Sequence, residues 1–196
     1  MPATLTLLGA LAAALPTPLP PAATRPDSTE RAIRYEFTVR APVARVWEAW
    51  TTPAGIATFF APAAEIELRT FGKYDILFMP DSAPGRRGAD GNVVLAVQPE
   101  RMLTTTWNAP LDMPEVRRNR TVLVVRLAPV GDSATVVTIT NSGYGTGAEW
   151  DRAYGHFAVA WRWVAAALQH RFEVGPLDFR RPPDLRARMG RIASTR

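Results

Sequence analysis

TGAEWDRAYGHFAVAWRWVAAALQHRFEVGP, residues 146–176, carries the longest run of helical periodicity in the chain. Trp150, Tyr154, Phe157, Trp161, Val164, Leu168 and Phe172 recur at helical spacing over about six turns, which gathers them on one stripe. Thr146, with Glu149 three residues later, predicts a capping box at the start, and Gly175-Pro176 stops the helix. At ~1.5 Å per residue the helix is roughly 40 Å long. A stripe of Trp, Tyr and Phe of that length needs an apolar surface to lie against.

The preceding segments supply that surface. In AIRYEFTVR, residues 32–40, Ile33, Tyr35, Phe37 and Val39 face one way and Arg34, Glu36, Thr38 and Arg40 the other, the pattern of a half-buried strand. Pro42 suits the first turn of a short helix over 42–51, with Val43, Val46, Trp47 and Trp50 on its apolar face, and Thr52-Pro53 opens a second through Phe60. From Ala64 the period becomes two, and strands are predicted at 64–69, 73–79, 92–98, 102–108, 120–128 and 134–141. Residues 80–91, PDSAPGRRGADG, and 109–119, with Pro110 and Pro114, read as long loops. This order defines an α+β fold: a curved antiparallel sheet of about seven strands around a long C-terminal helix, with two short helices after the first strand.

The composition is that of a globular domain, 47% hydrophobic and 21% charged over 196 residues, which excludes disorder throughout. The absence of cysteine excludes a disulfide scaffold, a thiolate metal site and a cysteine nucleophile. Lys73 is the only lysine among 23 basic residues, and the arginines mostly alternate with acids, so no nucleic-acid stripe is expected. The exception is residues 176–196, with Arg180, Arg181, Arg186, Arg188, Arg191 and Arg196, which read as an Arg-rich solvated tail. At the other end no charged side chain precedes Arg25. LTLLGALAAAL, residues 5–15, is too short for a hydrocarbon core that needs about 20 residues but fits the apolar region of a signal peptide. Residues 1–28 are therefore read as a leader, the domain as 29–175, and the protein as exported, with a cytoplasmic address as the alternative.

Several segments in order carry a family resemblance. FTVRAPVARVWEAWTTPAGIATFFAP, FGKYDILFM, VVLAVQPERMLTTTW and HFAVAWRWVAAALQHRFEVGP resemble successive segments of the START-like (SRPBCC) helix-grip superfamily, and within it the activator of heat-shock protein 90 ATPase homologue group. The resemblance spans roughly residues 32–179 and implies a fold that encloses a cavity for an apolar ligand. It fixes no activity, because the fold hosts carriers, cyclases, hydrolases and co-chaperones. The chain departs from the family pattern in its apolar leader, in the charged PGRRGADG loop, and in Ala160, where a glycine often precedes the central Trp.

Candidate chemistry is sparse. His156 and His170 lie 14 positions apart, about 21 Å along one helix, so they share neither a metal nor a substrate atom. Both fall opposite the aromatic stripe and read as surface histidines. Glu65 and Glu67 share the polar face of a strand and read as solvated. No catalytic constellation, metal or cofactor is expected, and no oligomeric state is indicated. The ligand-binding candidates are Tyr154, Phe157 and Trp161 on the helix, with Tyr35, Phe78 and Trp107 on the sheet; Tyr35 and Trp107 carry a hydroxyl and an indole N–H that would orient a ligand. Trp163 stands about 200° round the helix from Trp161, and cover by Leu177 or Phe179 from the tail is expected. The function so indicated is carriage of a small apolar molecule, with a cyclase- or hydrolase-type enzyme and a chaperone-like interaction module as rivals.

Overall fold

β1 (Ile33–Val39) buries Ile33, Tyr35, Phe37 and Val39 and exposes the residues between them in the computed structural model, which describes residues 31–194. The leader expected over residues 1–28 lies outside that range. α1 (Val43–Thr51) buries Val46, Ala49 and Trp50. Thr52 then caps α2 (Pro53–Ile56): its hydroxyl oxygen accepts the Gly55 N–H at 2.9 Å, and Pro53 sits in the first turn, where a missing donor costs nothing. A turn follows and delivers Phe59 and Phe60 into the core.

β2 (Ala63–Ile66), β3 (Tyr74–Leu77) and β4 (Gly88–Ala89) form one antiparallel sheet. β5 (Val94–Gln98), β6 (Met102–Trp107), β7 (Thr121–Val130), β8 (Ala134–Ser142) and β1 form the other, extended by β9 (Ala193–Ser194) in the order β5-β6-β7-β8-β1-β9. The two are continuous at one edge, where Phe71 N–H donates to Val94 O at 2.8 Å and Val94 N–H to Gly72 O at 2.9 Å. Seven strands have four or more residues, as the period-two reading expects; β4 and β9 are additions of two residues each. β4 lies inside the segment read as the 80–91 loop. The 109–119 loop contains a helix, α3 (Pro114–Asn119), because Pro114 takes the N-terminal position where proline starts a helix instead of breaking it.

α4 (Ala148–Glu173) lays Trp150, Ala153, Phe157, Trp161, Val164 and Leu168 on the sheet, while Tyr154 and Phe172 are only half-buried. The capping box is not made. Gly147 is the N-cap, with φ +111°, and no side chain caps the helix. The Glu149 carboxylate instead accepts the Val116 N–H at 2.8 Å in the first turn of α3, and Trp150 Nε1 donates to Glu115 at 2.9 Å. Glu149 thus serves the orphan donor of a neighbouring helix, a competitor that local spacing does not reveal.

The Arg-rich segment is not a free tail. Its arginines are largely exposed, but Leu177, Leu185 and Ile192 are buried in the main core, α5 (Arg186–Met189) packs on α4, and β9 pairs with β1. Leu177 N–H donates to Thr58 O at 2.9 Å. Trp163 is half-buried, and the tail residue that shares its wall is Met189.

Two outcomes follow for stability. Ending the chain after Gly175 removes three buried aliphatic side chains at about 1.5–3 kcal/mol each, so urea denaturation is expected to show a loss of at least about 4.5 kcal/mol; an unchanged midpoint would mean the segment is a passenger. His170, in the last turn of α4, has its pKa held below the usual 6.5, first by partial burial and then by the Arg188 guanidinium, with Glu173 opposing. The folded chain therefore binds this proton less readily than the unfolded chain. Stability is full above pH ~6.5 and falls as the pH drops through the folded pKa. His170→Gln is expected to flatten the thermal midpoint between pH 7 and pH 5 relative to the parent, and an identical slope would remove His170 from the account.

Candidate ligand-binding cavity

Three aromatic rings from three distant stretches meet under α4. Phe60, from the turn after α2, stacks on Trp107 at the end of β6, with centroids 5.7 Å apart and planes at 14°. Trp161 of α4 closes the group at 4.8 Å from Trp107 and 5.9 Å from Phe60. Above them lies a cavity of about 910 Å³. Its floor is buried: Phe60, Ala89, Trp107, Ala109, Phe157 and Trp161. Its rim is exposed and still apolar: Phe78, Met79, Leu111 and Val159 are 43, 51, 43 and 62% exposed. Arg86, Asp112 and His156 are the charged or titratable side chains of the lining, and all three stand at the exposed rim.

The floor is locked by buried polar groups. Asn141 of β8 is fully buried, and every hydrogen-bonding group of its amide is used. Its Oδ1 accepts from Trp161 Nε1 at 3.0 Å and from the Tyr144 hydroxyl, and its Nδ2 donates to Thr121 Oγ1 at 2.9 Å and Val122 O at 3.0 Å. Thr121 passes the chain on, donating to Trp107 O at 3.1 Å. Burial pushes the Tyr144 hydroxyl far above its ordinary pKa, so it stays a neutral donor. Asn108 is also buried in the lining. Its Nδ2 donates to Asp90 O at 2.7 Å, and its Oδ1 has no donor among the described residues.

The lip formed by residues 80–91 is stapled from below. Arg117 of α3 donates to Gly85 O at 2.9 Å and Gly88 O at 3.0 Å and pairs with the buried Asp90 at 3.1 Å. Gly88 itself is obligatory: its φ is +122°, and a Cβ there would lie 2.6 Å from the Phe78 ring. Glu65 is not an acid/base candidate. Lys73, and then Arg87, hold its carboxyl below the usual range, and Glu67 pairs with Arg69 in solvent. Among the described residues no cluster of three or more His, Asp or Glu side chains is placed to hold a metal.

Four of the six sequence candidates, Phe78, Trp107, Phe157 and Trp161, line this cavity, and Tyr35 and Tyr154 do not. The Tyr35 hydroxyl donates to Ala158 O at 2.8 Å under the Arg162 guanidinium, while Tyr154 packs on Tyr144 and Arg31. The helical wheel explains the division. At about 100° per residue, Phe157, Trp161 and Val164 run down the middle of the stripe. Tyr154, Ala158 and Arg162 fall on one flank, against β1; His156, Val159, Ala160 and Trp163 fall on the other, where the cavity is. His156 is exposed, as expected of a surface histidine, but it stands at the mouth. The same flank resolves the oddity of Trp163, which is a cavity wall. Local periodicity does not single out Phe60, Leu111 or Arg86; the charge of the PGRRGADG loop is the one visible signal.

An antiparallel sheet closed on a long C-terminal helix, with a cavity between them, defines a helix-grip protein. The chain belongs to the family described as activator of Hsp90 ATPase homolog 1-like protein, whose model matches residues 40–173. It is similar to a structure of a protein from Mesorhizobium loti at 26% identity, TM-score 0.57, covering 71% of this chain and 95% of that one. CalU16 from Micromonospora echinospora is similar at 21% identity, TM-score 0.59, with 85% of each chain covered. The Aha1 dimer from Colwellia psychrerythraea is similar at 19% identity, TM-score 0.57, covering 74% and 98%. A search of curated proteins finds no significant match.

Asn141→Ala leaves the Trp161 N–H and the Tyr144 hydroxyl without an acceptor. A destabilisation of about 3 kcal/mol is expected. In a double-mutant cycle with Trp161→Phe the two losses should fall well short of adding; strict additivity would show that the bond carries little.

Proposed function

We propose that the protein binds a small, largely apolar molecule in this cavity and carries it without covalent change. The observation that carries the reading is the grading of the lining: a buried aromatic floor under an exposed rim that is itself mostly apolar. About 910 Å³ falls at the upper end of the range of small-molecule pockets. Family membership supports a hydrophobic-ligand fold, and nothing in the lining sets a nucleophile beside a base. The leader read over residues 1–28 supports export, so the ligand is met outside the cytoplasm. No helix among the described residues is long and apolar enough to cross a membrane.

The rim favours a second reading. Phe78, Met79, Leu111 and Val159 expose apolar surface from three elements around one opening, as a protein-docking site would. The two readings separate in one experiment. Native mass spectrometry of the purified protein, followed by organic extraction, is expected to reveal a one-to-one adduct of a few hundred daltons. Titration of the stripped protein with phenylnaphthylamine, a neutral apolar fluorophore, should saturate at one site. Ala160→Phe, which fills the cavity from α4, should weaken that site at least tenfold while leaving the thermal midpoint within a few degrees. A clean apo mass, with probe binding indifferent to Ala160→Phe, would reject the carrier and favour the docking rim.

A further inference from the structure

PGRRGADG, residues 84–91, forms one lip of the cavity. Its two adjacent arginines have opposite surroundings. Arg87 is consumed by acids: Glu65 at 2.8 Å, Asp90 at 3.7 Å and Asp75 at 3.9 Å. Arg86 is exposed, lines the cavity, and has no carboxylate within ion-pair distance among the described residues. The backbone on either side of Arg86 is pinned. Gly85 N–H and Arg87 N–H both donate to Asp90 Oδ2, at 2.5 and 3.5 Å, and Arg86 N–H donates to Ala83 O at 3.0 Å. With Arg117 holding the carbonyls of Gly85 and Gly88, this short segment presents Arg86 from a built support. The other charged group of the lining, Asp112, is 3.9 Å from Arg152, and His156 adds a ring N–H donor at the same rim. The opening therefore offers one unpaired guanidinium above an apolar floor. A guanidinium in that position recognises a carboxylate or sulfonate through paired N–H donors.

We infer that the ligand is an amphipathic organic anion, its apolar body on the Phe60, Trp107, Phe157 and Trp161 floor and its acidic group on Arg86. The inference rests on the binding reading above and names the chemical class of ligand for the same site.

Anilinonaphthalene sulfonate and phenylnaphthylamine share a ring system and differ by the sulfonate, so they test the assignment on the full chain. The sulfonate is expected to bind about tenfold more tightly, the order of one charge-assisted hydrogen bond. Arg86→Gln should bring it down to the affinity of the neutral probe and leave the neutral probe unchanged. Arg86→Lys should recover part of the loss. Arg86 has no side-chain partner among the described residues, so neither variant is expected to alter the thermal midpoint. Equal effects on both probes, or no effect on either, overturn the inference. If Ala160→Phe abolishes both probes while Arg86→Gln spares the sulfonate, the cavity stands and the anion site falls. If Ala160→Phe spares both, the cavity reading itself fails. Sedimentation with phosphatidylglycerol vesicles, lost in Arg86→Gln, would assign Arg86 to a membrane surface and overturn the single-molecule ligand.

Discussion

The buried amide of Asn141 ties the long helix to the sheet and sets the geometry of the cavity floor. A fully buried side-chain amide is costly unless each of its groups is paired, and here α4, β7 and the β8–α4 connection all contribute partners. Trp161 is thereby fixed in rotation as well as in depth. A helix held on a sheet by apolar contacts alone can slide or roll at little cost. A helix whose central indole N–H must reach one oxygen has a single register. Trp107 is tied to the same network through Thr121, so the floor of the cavity inherits its geometry from a hydrogen-bond chain instead of from packing alone.

That rigidity permits the cavity. A void of this size sacrifices dispersion contacts along its lining, and a pliable core would collapse into it. The Phe60–Trp107–Trp161 cluster resists collapse from below, while the lip above is stapled by Arg117 to Asp90 and to two loop carbonyls. The acids Glu65, Asp75 and Asp90 converge on Arg87 at the back of that lip. Burial pushes the Asp75 carboxyl above its ordinary range, opposed by a Gly91 N–H at 2.7 Å. The loop is thus an electrostatic brace on one side and a presenting surface for Arg86 on the other.

Much of the architecture was legible in the chain. Period-two alternation in β1 and 3.6-residue spacing in α4 are local consequences of which faces must be dry, and they read directly as strand and helix. The same holds for the Thr52-Pro53 start of α2. A local signal misleads where it has a distant competitor. Glu149 matched a capping box with Thr146 but serves the Val116 N–H of α3. Pro114 looked like a loop residue but starts a helix. The six arginines of the last 21 residues suggested solvent, yet Leu177, Leu185 and Ile192 among them find the core.

Periodicity and the order of residues along the chain suffice for the α+β class, the succession of the seven longer strands and of α1, α2 and α4, the apolar stripe of α4 and the family; the short elements β4, α3, α5 and β9 escape them. Which flank of α4 faces empty space is settled by how the distant strands pack around it. Tyr35 and Tyr154 are as aromatic as Phe157 and Trp161, but Tyr154 lies on the flank of α4 that β1 covers and Tyr35 is the β1 residue that meets that flank, whereas the other flank is left open between β4 and the end of β6. An amphipathic pattern records that a side chain leaves water. Whether it then meets another side chain or the wall of a cavity depends on where strands distant in sequence come to an end.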